Sequence, residues 1–179
     1  MKRLGLLILL VFTLAWPGQP TPQTADDPWK PLRFLVGEWR GSSEGEPGKG
    51  TVRRTYTFVM NGRYLHERNI STYPRQERNP KGERHEHWTM FSYDRARKMI
   101  VMRQFHGEGF VNQYAMPAAG DNASGFVFES EGFENLPAGW RARERYEVLS
   151  KDGFIETFEL AAPGKDFQVY SRTQFRRRR

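Results

Sequence analysis

Four histidines, His66, His85, His87 and His106, are the side chains of this 179-residue chain whose chemistry suits a metal ion. His85-x-His87 sends two imidazoles to one face of a strand, because strand side chains alternate with period two. If the run around His66 pairs with the run around His85, His66 lies diagonally close to that face. Three imidazoles in one patch are a ligand set for zinc or another divalent cation, and His85 and His87 would then serve a metal-assisted enzyme. Arg68, Arg84 and Glu86 fit equally well the polar face of an ordinary solvated strand.

A second set suits ligand binding rather than catalysis. Arg103 and Tyr114 could anchor the polar end of a small molecule, with Trp88, Phe91, Tyr93, Phe105, Phe110, Phe126 and His66 around the rest. A charge-assisted contact from arginine to a carboxylate contributes about 1.5–3 kcal/mol and fixes orientation. Nucleophilic motifs are missing. The chain has no cysteine, and Ser42, Ser43 and Ser71 lie in no strand–turn–helix elbow. "GEPGKG" lacks the Lys-Ser/Thr ending of a phosphate loop and reads as a hairpin loop.

These residues lie on strand-like runs, at 38–43, 51–60, 63–72, 84–94, 98–106, 109–117, 124–131, 140–149, 154–161 and 166–176. Asn61-Gly62 predicts a two-residue hairpin turn with positive φ at both positions, Asp94-Arg95-Ala96-Arg97 a type I turn, and Lys151-Asp152-Gly153 another tight turn. About ten consecutive strands joined by hairpins imply an all-β, closed antiparallel up-and-down barrel, which removes its own edges. "DDPWKPLRF" adds a short helical turn before it, with Asp27 as N-cap and Pro28 in the first turn. Several runs carry polar residues on both faces. That pattern implies a partly wet interior with room for a ligand.

The first residues do not belong to the barrel. Lys2 and Arg3 precede an apolar run from Leu4 to Ala15, too short for a membrane span, and a Pro-rich stretch follows with Gly18 or Ala25 as cleavage points. Residues 1–25 thus read as a signal peptide and linker, and residues 26–179 as one exported domain. An uncleaved anchor is the other reading. Without cysteine, the domain is held by packing alone. The formal net charge of +7 falls to +5 without Lys2 and Arg3 (26 basic against 21 acidic). Its clusters are interleaved with acids, as in Arg141-x-Arg143-Glu144-Arg145, which argues for a solvated strand face and against a nucleic-acid partner. The basic tail, Arg176 to Arg179, could touch an anionic membrane surface.

"PLRFLVGEWRGSSEGE", with Gly37-x-Trp39-x-Gly41, resembles the opening of the calycin superfamily, and within it the nitrobindin-like haem-binding barrels and related lipocalin-like bacterial domains. "HEHWTMFSYDR" is similar to a second strand of that group, with Ser92-Tyr93-x-Arg95 matching its end; Ser43 departs from the opening pattern, which has glycine there. The resemblance implies that Trp39, between Gly37 and Gly41, plugs one barrel end under a basic residue of the last strand, Arg172 or Arg176. It implies that Arg103 and Tyr114 clamp a fatty-acid-like carboxylate. It also implies haem held by a histidine of the last strand, with nitric oxide or peroxynitrite chemistry. Phe167 stands where that histidine would be, so it is expected inside the cavity, and Tyr170 is the remaining candidate for an iron ligand. The preferred reading is a binding protein for a small hydrophobic or amphipathic molecule, with no cofactor assigned.

Overall fold

The computed structural model describes residues 27–118 and 124–178. The signal peptide read at 1–25 lies outside the described residues. A 3-10 helix, Lys30–Leu35, leads into strands β1 (Gly37–Gly45), β2 (Gly50–Val59), β3 (Tyr64–Tyr73), β4 (Glu83–Asp94) and β5 (Met99–His106). The strands β6 (Val111–Pro117), β7 (Gly125–Glu134), β8 (Arg141–Ser150), β9 (Gly153–Ala161) and β10 (Gln168–Arg177) follow. Each strand pairs antiparallel with the next, and β1 pairs with β10, so the ten strands close into a barrel. Asp27 accepts a hydrogen bond from the Trp29 backbone N–H, but the helix begins only at Lys30, with Pro31 rather than Pro28 in its first turn.

The first hairpin differs in detail from expectation. Asn61 (φ 57°) and Gly62 (φ 76°) do take the left-handed conformation, but Met60 (φ 50°) joins them, and Val59 pairs with Tyr64 across a longer loop. The β4–β5 turn has Asp94 Oδ1 accepting from the backbone N–H groups of Ala96 and Arg97, and it sets Asp94 opposite Met99.

One end of the barrel is shut. Trp39 is buried across it and packs edge-on against Phe34 and Phe154, with Leu32 and Leu35 of the helix also fully buried beneath. The indole Nε1–H donates to the Leu35 carbonyl at 2.6 Å. Arg177 lies over the indole, its Cζ 4.3 Å from the ring centroid, and donates to the carbonyls of Phe34, Val36 and Lys151. The capping cation is therefore Arg177. Arg172 and Arg176 are exposed, because from Arg172 onward the alternation of β10 sends even-numbered side chains outward. The glycines beside Trp39 have separate causes. At Gly41 a Cβ would stand 2.6 Å from Thr173 Cγ2 and 3.0 Å from the Phe175 ring, so β1 and β10 can approach only without it. Gly37 has φ 121°, a conformation that side chains resist.

Above this plug the closed half of the lumen is an aromatic core that includes Tyr56, Phe91, Phe128, Tyr146, Phe154 and Phe175. Phe91 and Phe126, candidate ligand contacts by sequence, belong to this packing, and Tyr93 packs against it.

Candidate functional site

Toward the other end the inward positions turn polar. Arg54 of β2 is buried and makes two guanidinium contacts with the Glu156 carboxylate of β9, one of them at 3.0 Å. Its Nε donates to Asn69 at 2.9 Å and lies 3.2 Å from Glu67, while the guanidinium covers the Phe175 ring at 4.5 Å. Burial would raise the pKa of Glu67, but Arg54 and His87 hold it below the usual carboxylate range. Glu144 of β8 behaves oppositely. Burial and then the neighbouring Glu156 charge push it up to about 8, so it is mostly protonated at neutral pH. It accepts from Gln104 Nε2 at 2.7 Å and from the Tyr146 hydroxyl at 3.0 Å.

This polar floor underlies a cavity of about 510 Å³. Nearer the mouth the wall on the β7–β10 side becomes apolar, with Phe133, Leu136, Trp140, Phe158, Leu160 and Tyr170. A polar base below an apolar throat is the lining that an amphipathic molecule requires.

Three histidines stand on one wall of the cavity. His85 and His87 point inward from β4, and His106 from β5, brought beside them because His87 pairs directly with His106. Their ligand nitrogens all lie within 4.8 Å of one another. His85 Nε2 is 3.2 Å from His87 Nδ1 and 3.2 Å from His106 Nδ1. The opposite nitrogens are held from outside the cluster: His85 Nδ1 by Glu108 Oε1 at 2.7 Å, His87 Nε2 by Glu67 Oε1 at 3.1 Å, and His106 Nε2 beside Asn112 Nδ2 at 3.2 Å. Phe110 stacks on the His106 ring at 4.0 Å and fixes its plane. Burial, then the adjacent His87 and His85, lower the pKa of His106 to about 2.

Several sequence expectations fall elsewhere. His66 projects outward, edge-on to Trp88 at 5.4 Å, and takes no part in the cluster. Arg103, Trp88 and Phe105 also face out: Trp88 and Phe105 are 54% and 50% exposed, and Arg103 reaches Ser92 at 3.5 Å. None of these four lines the cavity. Tyr114 does point inward, but it is wholly buried below the cavity, where Asn112 Nδ2 donates to its hydroxyl at 3.1 Å. Phe167 lies under the guanidiniums of Arg141 and Arg143, 4.9 and 4.2 Å from their Cζ atoms, and does not line the cavity. Tyr170 does line it, packed edge-on to Phe158. On the β8 face Arg143 and Arg145 share the one carboxylate of Glu159, and in the basic tail Arg178 pairs with Glu38.

The sequence reading joined His66 rather than His106 to His85 and His87, and it missed the Arg54, Glu67, Glu144 and Glu156 group. One signal was available for His106: counting back along β4 from the Asp94 turn, and forward along β5, sets His87 opposite His106.

No family model matches the chain, and no curated protein matches it. Among solved structures it is similar to Rv2717c from M. tuberculosis (TM-score 0.64, 13% identity, 85% of this chain and 98% of that one). It is also similar to the S-type phycobiliprotein lyase CPES from Guillardia theta (TM-score 0.51, 13% identity, 82% of this chain and 89% of that one). With the closed ten-strand topology, these likenesses show an antiparallel up-and-down β-barrel fold.

Proposed function

We propose that this chain is an exported barrel of the nitrobindin-like kind that takes one small amphipathic molecule into its cavity. The observation that carries the reading is the division of the roughly 510 Å³ cavity into a charged floor and an aromatic throat. The floor selects the head group. Arg54 is answered by two carboxylates, Glu67 and Glu156, and Glu144 is neutral near pH 7, so the fixed charge is net negative. Glu83 and Glu108 add acid at the mouth. A carboxylate head would meet repulsion there, whereas an amine or a hydroxyl finds acceptors. The ligand is thus expected to be neutral or cationic at its polar end, not a fatty acid anion held by Arg103.

The haem reading, with its nitric oxide or peroxynitrite chemistry, has less support. Phe167 offers no donor and lies away from the cavity. The Tyr170 phenol has its pKa raised by burial and by Glu83, which disfavours the phenolate that iron would need.

The test is displacement of Nile red by dodecylamine, dodecanol and dodecanoate. Displacement by the amine and the alcohol at lower concentrations than the acid is expected. Preference for the acid, or failure to take up the dye, would overturn the reading.

A further inference from the structure

We propose that His85, His87 and His106 form a binding site for one divalent first-row metal ion, zinc by ligand type, with a fourth position open to the cavity. The site goes beyond the cavity reading and does not depend on which organic molecule enters.

Geometry supports it first. Three nitrogens at about 2.0–2.1 Å from a tetrahedral ion stand roughly 3.3 Å apart. Two edges of the histidine triangle already measure 3.2 Å, from His85 Nε2 to His87 Nδ1 and to His106 Nδ1. The third lies within 4.8 Å and is the edge that an ion would draw in.

Hydrogen bonding supports it second. Carboxylates only accept, so Glu108 and Glu67 fix the protons on His85 Nδ1 and His87 Nε2. In the neutral rings, His85 Nε2 and His87 Nδ1 then aim lone pairs at each other across 3.2 Å. A metal ion that both nitrogens face, or a proton added to one of the rings, makes that arrangement attractive, and the cobalt titration below separates the two. Carboxylates behind ligating imidazoles are the usual outer support of a metal site, holding each ring in the ligating tautomer.

The third support is Asn112, which is 4% exposed and carries a buried Oδ1 with no hydrogen-bond partner. Its Nδ2 instead faces both His106 Nε2 and the Tyr114 hydroxyl. With a metal on His106 Nδ1, the proton moves to Nε2, which becomes a donor. Turning the Asn112 amide over then places Oδ1 where it accepts from His106 Nε2 and from Tyr114. One rotation satisfies the orphaned oxygen and gives the third imidazole its outer partner.

Protein ligands at three positions leave the fourth for water or for a donor atom of the cavity's occupant, the arrangement of catalytic rather than structural zinc sites. All three histidines line the cavity, so that position is reached from the lumen.

The experiment is a titration of untagged, chelator-stripped protein with cobalt chloride, followed by its visible absorption, and competition by zinc chloride. One cobalt per chain with the intense bands of tetrahedral coordination is expected. His85→Ala and His106→Ala should abolish the bands or weaken cobalt binding by more than about 100-fold, and Glu108→Gln should weaken it about 10–100-fold. His66→Ala should leave binding unchanged, since that ring packs on Trp88 outside the barrel. Near-UV circular dichroism checks folding, and His85→Ala, at the partly exposed mouth, decides the matter should His106→Ala fail to fold. Absence of a saturable site, a weak octahedral spectrum, or undiminished binding in His85→Ala would overturn the proposal. A cluster that titrates with protons but gives no cobalt bands would do so as well.

Discussion

Arg54 on β2 and Glu156 on β9 meet across the inside of the barrel, with Nη2 and Oε1 3.0 Å apart and both residues buried. Removing one partner leaves an uncompensated buried charge. Arg54→Met should therefore cost about 3–5 kcal/mol, because Glu67 and Glu156 both lose their cation. Glu156→Gln should cost less, since Arg54 keeps Glu67 and Asn69. Urea unfolding of the two variants measures the order, and equal losses would contradict it.

At the closed end, Arg177→Lys should lose the planar stack on Trp39 and part of the fan of carbonyl contacts, at about 1–2 kcal/mol. Arg172→Ala and Arg176→Ala should stay within about 0.5 kcal/mol of wild type, as exposed substitutions do. Thermal melts of the three variants are the check.

Glu144 gives the barrel a pH dependence of definite sign. Its folded pKa of about 8 stands above the ordinary 4.5, so between these values the folded state binds the extra proton. The contribution of this group is intact below about pH 4.5 and is lost as pH rises toward 8. Glu144→Gln should remove the slope. The variant should gain on the order of 1–4 kcal/mol over wild type near pH 8.5 and little at pH 4.5. Denaturant midpoints across that range test it, and a parallel slope in the variant would assign the effect to another group.

The strand order and closure were legible because turn residues and β-rich runs alternate along the whole chain, and a meander of that length has one economical way to hide its edges. Which face of each strand points inward was much less so. Near the cavity the usual polarity is inverted: on β4 and β5, Trp88 and Phe105 face out, while His87 and Gln104 face in. A rule that sends aromatics inward consequently selects Trp88, Phe105 and their neighbour Arg103, and misses the residues behind them. His66 failed for a related reason. The long β3–β4 connection hides the register, which sets His87 opposite Asn69 and leaves His66 beside Met90 on the other face. Arg54 and Glu156 are far apart in sequence, and their meeting depends on closure of the whole ring.

The plug described at Trp39 also has a kinetic side. Its indole comes from the first strand and its covering guanidinium from the last, so the seam between β1 and β10 joins the two extremes of the barrel sequence. Contacts of such long range form only after most of the chain is available, and they slow folding. Until Arg177 arrives, both seam strands present unpaired edges, the state in which β-proteins associate with one another. A chain ending before β10 should accordingly show itself through aggregation rather than through a loosened but soluble barrel.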